Sequence, residues 1–163
     1  KAARILGVEK ITTKSFPDNK FDSVPLLDII HAIEEEMDAF NPDIVYTHNK
    51  SDVNIDHRKT LEAVESAVRP LPSRKTQTVL AFEIPSSTEW NFIRYPFVPN
   101  YFNSIKNEFL ARKIRALISY SSEKRQFPHP RSPDFLEALA KVRGSQSGQN
   151  LAEAFEIIYQ INS

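Results

Sequence analysis

The feature that most constrains the fold is a change of hydrophobic period between residues 23 and 58. Leu26, Leu27, Ile30, Ile33, Met37 and Phe40 recur at helical spacing, with Glu34, Glu35 and Glu36 on the opposite face. Ser23 and Pro25 mark the start of this helix, and Asn41-Pro42 marks its end. Asp43-Ile44-Val45-Tyr46-Thr47 follows as a short, nearly continuous apolar run, as buried parallel strands are. A helix that feeds such a strand through a tight loop is half of a βαβ unit. The expected class is therefore α/β, with helices flanking a mostly parallel sheet.

The rest of the chain is read in the same way. Ile11 to Phe16 is β-branched and bounded by Pro17-Asp18-Asn19, which predicts a short strand and a turn. His57 to Val68 predicts a helix with Leu61, Val64 and Val68 on one face, ended by Arg69-Pro70. Thr76 to Ile84 reads as a strand, and the aromatic, Pro-rich stretch 85–100 as irregular structure or short strands around a pocket. Ile105 to Tyr120 is helical. Ser132-Pro133 starts a further helix, which is expected to end at Gly144. Ala152 to Ile161 is apolar and is read as a strand. Lys1 to Leu6 followed by Gly7 reads as the last turns of a helix with a glycine cap, which leads us to expect that more of the fold lies upstream.

Composition excludes several classes. At 163 residues the chain is sized for one domain, expected to span residues 1–163. Such a chain buries about 69% of its unfolded surface, enough for a core of its own. Lys plus Arg and Asp plus Glu both number 21, so the net charge is zero. This argues against a nucleic-acid partner, whose binding draws on phosphate neutralisation. No apolar run approaches the ~20 residues that cross a bilayer. Cysteine is absent, so no disulfide or thiolate metal site forms; a reducing cytoplasm fits and is the expected compartment. Only three glycines occur and none form Gly-x-Gly-x-x-Gly, which argues against a dinucleotide site.

The chemistry concentrates in one polar loop, His48-Asn49-Lys50-Ser51-Asp52-Val53-Asn54-Ile55-Asp56-His57-Arg58. It leaves the C-terminal end of a predicted parallel strand and enters a helix, the place where open α/β sheets bind ligands. His48, Asp52, Asp56 and His57 are potential metal ligands and proton-transfer groups. A metal-bound imidazole usually donates its second nitrogen to a carboxylate or carbonyl, and this crowding supplies both. The plainer alternative is that Asn54 or Asp56 is a helix N-cap.

Pro42 to His48 and Asp52 to Arg58, together with Phe82 to Trp90, Phe97 to Asn100, Tyr120 to Glu123, Pro128 to Ser132 and Ala152 to Phe155, resemble the PIG-L/LmbE-type family of zinc-dependent de-N-acetylases. The resemblance implies a Rossmann-like fold and hydrolysis of the N-acetyl group of an amino sugar or glycoconjugate, giving acetate and a free amine. It implies Zn2+, or another divalent metal, with His57 as a ligand. It implies Asp56 as a charge-stabilising catalytic residue. The family's remaining ligands and its general base come from a His-Pro-Asp-Asp motif that this sequence lacks, so the first strand and its loop are expected upstream of residue 1. The family's first loop imidazole is replaced here by Asn54, and His129 and His48 are the candidates for its catalytic part.

Asp52, Asn54, Glu83, Trp90 and Arg131 are expected to contact substrate. Arg131 presents a planar fork suited to an anionic group on the substrate, or to a structural ion pair. Trp90, Phe92, Tyr95, Phe97, Tyr101 and Phe102 are either sugar-stacking or core residues. A domain short of one strand exposes a sheet edge, so pairing with an upstream segment or with a second copy of the chain is expected. The alternative to an enzyme is a non-catalytic α/β module that keeps the fold and binds a ligand or partner.

Overall fold

The computed structural model describes residues 1–92 and 95–162. The chain forms two compact units. One comprises residues 14–101 and 155–163, and the other residues 1–13 and 102–154. The zero net charge conceals an imbalance: the second unit holds twice as many Lys and Arg as Asp and Glu, and the first holds the opposite surplus.

In the first unit, the long amphipathic stretch forms helix α2 (Leu26–Phe40), after a short helix α1 (Ala2–Leu6) that belongs to the other unit. A 3-10 turn at Phe21–Ser23 precedes α2, and Pro25 rather than Ser23 is its N-cap. Asn41 closes it in the left-handed conformation (φ 47°), which Asn adopts more readily than most side chains. Strand β1 (Ile44–Thr47) follows, then helix α3 (Ile55–Ala67) and strand β2 (Thr78–Phe82). β1 and β2 pair in parallel, with Val45 opposite Val79. Met37 from α2, Val64 from α3, and Val68 and Val79 form the buried core, and Ile33, Val45 and Tyr159 pack against it. This is the helix-on-sheet layer that the period change requires.

In the second unit, Gly7 caps α1 at φ 81°, where a side chain would be strained. Strand β3 (Tyr101–Ser104), whose first residue belongs to the first unit, helix α4 (Asn107–Ile118) and helix α5 (Pro133–Gln146) follow. Leu110, Ala140 and Leu151 make its buried cluster, with Ile105 and Ile114 beside them. Ser132 caps α5 as expected, its Oγ accepting from Phe135 N at 3.1 Å. The helix passes through Gly144 instead of ending there. A Cβ at that position would lie 2.7 Å from the Gln149 carbonyl oxygen, so the glycine serves a close backbone approach.

Strand β4 (Ala152–Gln160) begins in one unit and continues in the other. The four strands are ordered β1-β2-β4-β3. β4 runs antiparallel to β2, with an irregularity at Val79/Leu80, so the sheet is mixed and the expected parallel pairing is seen in β1/β2. The strand expected at Ile11–Phe16 does not form. Its backbone joins no ladder and Ile11 is 66% exposed, so its β-branched character has no face to cover. β3 was not anticipated: Tyr101 and Phe102 favour strands, but a four-residue run that ends in Asn103 and Ser104 is too short to show a period. Among the described residues, no helix is long and apolar enough to cross a membrane.

Candidate active site

The loop between β1 and α3 is built from side chains that substitute for secondary structure. Asn49 is buried and its Oδ1 accepts from Ser51 N at 2.8 Å, while Asp52 N donates to Asn49 O at 3.1 Å. Asp52 Oδ1 accepts from Asn54 N at 2.8 Å, and Asn54 Oδ1 then accepts from Asp56 N at 2.8 Å and His57 N at 3.4 Å. Short polar side chains favour such local turns and caps. Asn54 is therefore the N-cap of α3, and its Nδ2 donates to Asn19 Oδ1. Arg58 Nη1 donates to the carbonyls of Asp52 and Val53, closing the loop from the helix side.

This scaffold brings three of the predicted residues together. Donor atoms of His48, Asp52 and His57 all lie within 4.8 Å of one another. His57 Nδ1 sits 2.8 Å from Asp52 Oδ2. The His48 and His57 rings stack with centroids 4.1 Å apart and planes 2° from parallel, and Phe82 packs edge-on against His48. Asp52 is completely buried. Burial pushes its carboxyl up, but hydrogen bonds from His57, Ser87 and Asn54 N outweigh this and hold it below the usual range. His48 is lowered to about 4, first by burial and then by His57, against a smaller opposing pull from Asp52. It is therefore neutral at pH 7. Its Nδ1 is buried without a hydrogen-bond partner, as are Thr47 Oγ1 and Ser51 Oγ.

The donor set fits a divalent metal. Asp52 occupies His57 Nδ1, which leaves Nε2 as the donor nitrogen, the arrangement commonly found behind metal-bound imidazoles. A neutral His48 has a free lone pair. Two imidazole nitrogens suit zinc and several other divalent ions, with Asp52 behind His57.

Other expected residues have different tasks. Asp52 was expected on the substrate side; both of its oxygens are engaged by protein groups, Oδ2 by the His57 ring. Asn54, also expected on the substrate side, is spent on the cap. The carboxylate of Asp56 accepts from Asn19 N at 2.6 Å and Phe21 N at 2.9 Å. It ties the 18–21 turn to α3. Glu83 is half buried just beyond β2, and Trp90 is 43% exposed. Phe92 and Tyr95 are exposed and not core, and Lys50 Nζ lies 5.6 Å from the Tyr95 ring centroid.

His129 and Arg131 belong to the other unit. His129 Nδ1 accepts from Arg131 N at 3.0 Å, and the Arg131 guanidinium pairs with Glu123. Sequence reasoning missed Asp52 as the orienting partner of His57, although the five-residue spacing across a helix cap was visible. It also missed Ser87, whose Oγ donates to Asp52 Oδ1; nothing local in the sequence marks that contact.

Comparison with known proteins bears on the fold and on the class of protein the chain is similar to. Residues 1–68 match the family model described as PIG-L: GlcNAc-PI de-N-acetylase. The uncharacterized deacetylase YaiS of Escherichia coli (strain K12) is 30% identical over 126 residues, 74% of this chain and 62% of that protein. The chain thus spans about three fifths of the length of this curated relative. The conserved protein TT1542 of Thermus thermophilus superposes with a TM-score of 0.74 at 20% identity, covering 99% of this chain and 71% of the other. The N,N'-diacetylchitobiose deacetylase of Pyrococcus horikoshii, complexed with its inhibitor MPG, gives 0.68 at 20% identity, over 97% and 60%. At that identity the two structures speak for the fold, a mixed α/β sheet flanked by helices. In sequence over residues 1–68, and in fold along its length, the chain is similar to deacetylases of the PIG-L/LmbE type.

Proposed function

We propose that this chain supplies the His57 side of the active site of a metal-dependent de-N-acetylase that acts on an N-acetylated amino sugar or glycoconjugate. The observation that supports this best is the Asp52–His57 pair, 2.8 Å apart, with a neutral His48 stacked alongside. The match of residues 1–68 to a de-N-acetylase model supports amide hydrolysis, and the Pyrococcus horikoshii neighbour is named for a diacetylated sugar.

His57, through Nε2, and His48 would hold the ion. A bound divalent metal lowers the pKa of its water and polarises the acetamide carbonyl. The overall reaction breaks the acyl carbon–nitrogen bond; water adds its hydroxyl to the acyl carbon, and the amine leaves with the proton. Asp52 fixes the His57 ring and its tautomer throughout. On chemistry alone His129 is a candidate proton donor to the amine, and Arg131 a candidate reader of an anionic group. Aromatic Trp90 is a candidate sugar platform, and Glu83 a candidate partner for sugar hydroxyls.

The second reading, a non-catalytic binding module, is favoured by Asn54, a cap residue where the family has an imidazole. Zn2+ titration and acetate release from an N-acetylglucosamine conjugate, measured on the chain together with a segment that supplies the missing His-Pro-Asp-Asp residues, decide between them. Zinc binding with acetate release, both lost in His57→Ala, is the expected result. Zinc binding without acetate release identifies the module. Activity undiminished in His57→Ala overturns the ligand assignment.

A further inference from the structure

We infer that Ser87 is a positioning residue for the His57 donor, acting through Asp52; this rests on the reading of His57 as a metal ligand. Asp52 Oδ1 accepts from Asn54 N and from the Ser87 hydroxyl, and Oδ2 faces His57 Nδ1. The backbone donor and the hydroxyl together fix the plane of the carboxylate, and the carboxylate plane fixes the imidazole. Ser87 is 4% exposed and Asp52 0%, so no solvent replaces a lost donor readily.

The serine is held in place by more contacts than a surface turn needs. Ser87 N and Thr88 N both donate to Ile84 O at 3.0 Å, and Ile84 N donates to Thr88 Oγ1 at 2.7 Å. Ser86, immediately before it, sits at φ 71°, a left-handed conformation that residues with a Cβ seldom adopt. Such strain persists where surrounding contacts over-determine it, and is often found at functional sites. Val53 N donates to Ser87 O at 3.3 Å, which fastens the metal loop and this turn by backbone as well as side chain. The turn after β2 therefore carries the far end of a chain Ser87–Asp52–His57.

The test compares Ser87→Thr with Ser87→Val in the full chain. The two replacements have nearly the same shape and differ in the hydroxyl. Zn2+ affinity is read by competition with a chromophoric chelator, and the His57 ring nitrogens by NMR in the metal-free protein. Ser87→Thr is expected to keep the affinity and the Nδ1-protonated ring. Ser87→Val is expected to weaken Zn2+ binding by about 10- to 100-fold, as loss of a group behind a metal ligand does, and to shift the His57 Nδ1 resonance. Equal affinities and an unmoved resonance in the two variants would overturn the inference. If neither folds, the unsubstituted protein decides: a metal-free His57 protonated on Nε2 and not on Nδ1 also overturns it. An unsubstituted chain that binds no Zn2+ sinks the metal reading instead, and the Nδ1 resonance still reports whether Ser87 holds the ring.

Discussion

Two histidine-bearing segments drew the sequence argument, and the structure treats them differently. The His48–His57 segment turns inward: Asn49, Ser51 and Asp52 are buried, and successive side chains cap one another's backbone. The Pro128–Ser132 segment turns upon itself. His129 accepts from the backbone two residues on, Arg131 pairs with Glu123 across a partly exposed surface, and the buried residues are Pro130 and Ser132, the cap of α5. A histidine whose ring is aimed by a buried, fully hydrogen-bonded carboxylate is oriented from outside its own turn. His129 accepts within its own turn. Buried ionised groups are costly unless well paired, so Asp52 is the more informative residue.

The largest expected effect separates the two imidazoles directly. His57→Ala should abolish Zn2+ binding and acetate release together. His129→Gln should leave Zn2+ affinity unchanged and slow acetate release. Calorimetric Zn2+ titration beside an acetate assay reads both. Loss of metal in the His129 variant but not in the His57 variant would reverse the comparison.

Next is the buried carboxylate itself. Asp52→Ala leaves Asn54 N, Ser87 Oγ and His57 Nδ1 without their acceptor. Unsatisfied buried donors cost about 1–3 kcal/mol each, partly relieved by relaxation, so a destabilisation of roughly 3 kcal/mol is expected from urea unfolding. Glu123→Ala, which breaks a half-exposed pair, should change stability by less than about 1 kcal/mol. Comparable losses in the two variants would refute the claim that one segment is built inward and the other is not.

Acid sharpens the same contrast. Between about pH 4 and 6.5 the unfolded chain takes up a proton at His48 that the folded chain refuses. Unfolding then binds protons, so the stability of the metal-free protein rises with pH across this window and falls as the solution is acidified. Full development of the shift corresponds to an effect on the order of 3 kcal/mol. Asp52 adds a separate loss at lower pH. Its carboxyl is depressed, so its contribution is present above 3.8 and disappears as pH drops through the folded value. Urea midpoints measured from pH 4 to 7 on His48→Phe should lose most of the upper dependence. An unchanged slope would show that position 48 does not carry it.

These residues also show what a sequence reveals. The α2–β1 period change fixed one layer of the fold, and the loop at the strand's end marked the site, because both follow from local pattern. The irregular path of residues 11–16 and the strand at 101–104 depend on which partners the chain offers, and short apolar runs do not encode that. The His57–Asp52 link was within reach, since both ends lie in one loop. Ser87 was not, because it lies 35 positions from Asp52 and arrives through the β1/β2 pairing. The contacts of Asp56 were hidden in the same way: its backbone partners at 19 and 21 lie 37 and 35 positions away in the sequence.

The smallest expected effect concerns Arg131. Its guanidinium already pairs with Glu123, at about one-third exposure on each side, where an ion pair is worth a few tenths of a kcal/mol to about 1 kcal/mol. Arg131→Lys keeps the charge and loses the fork. If Arg131 reads an anionic group, KM for an anionic acetylated sugar should rise several-fold in this variant and KM for its neutral counterpart should stay constant, with kcat little changed in both. Equal KM changes for both sugars would assign Arg131 to the ion pair alone. The binding role would then lie wholly outside the Pro128–Ser132 segment, and the contrast between the two segments would become one of site against scaffold.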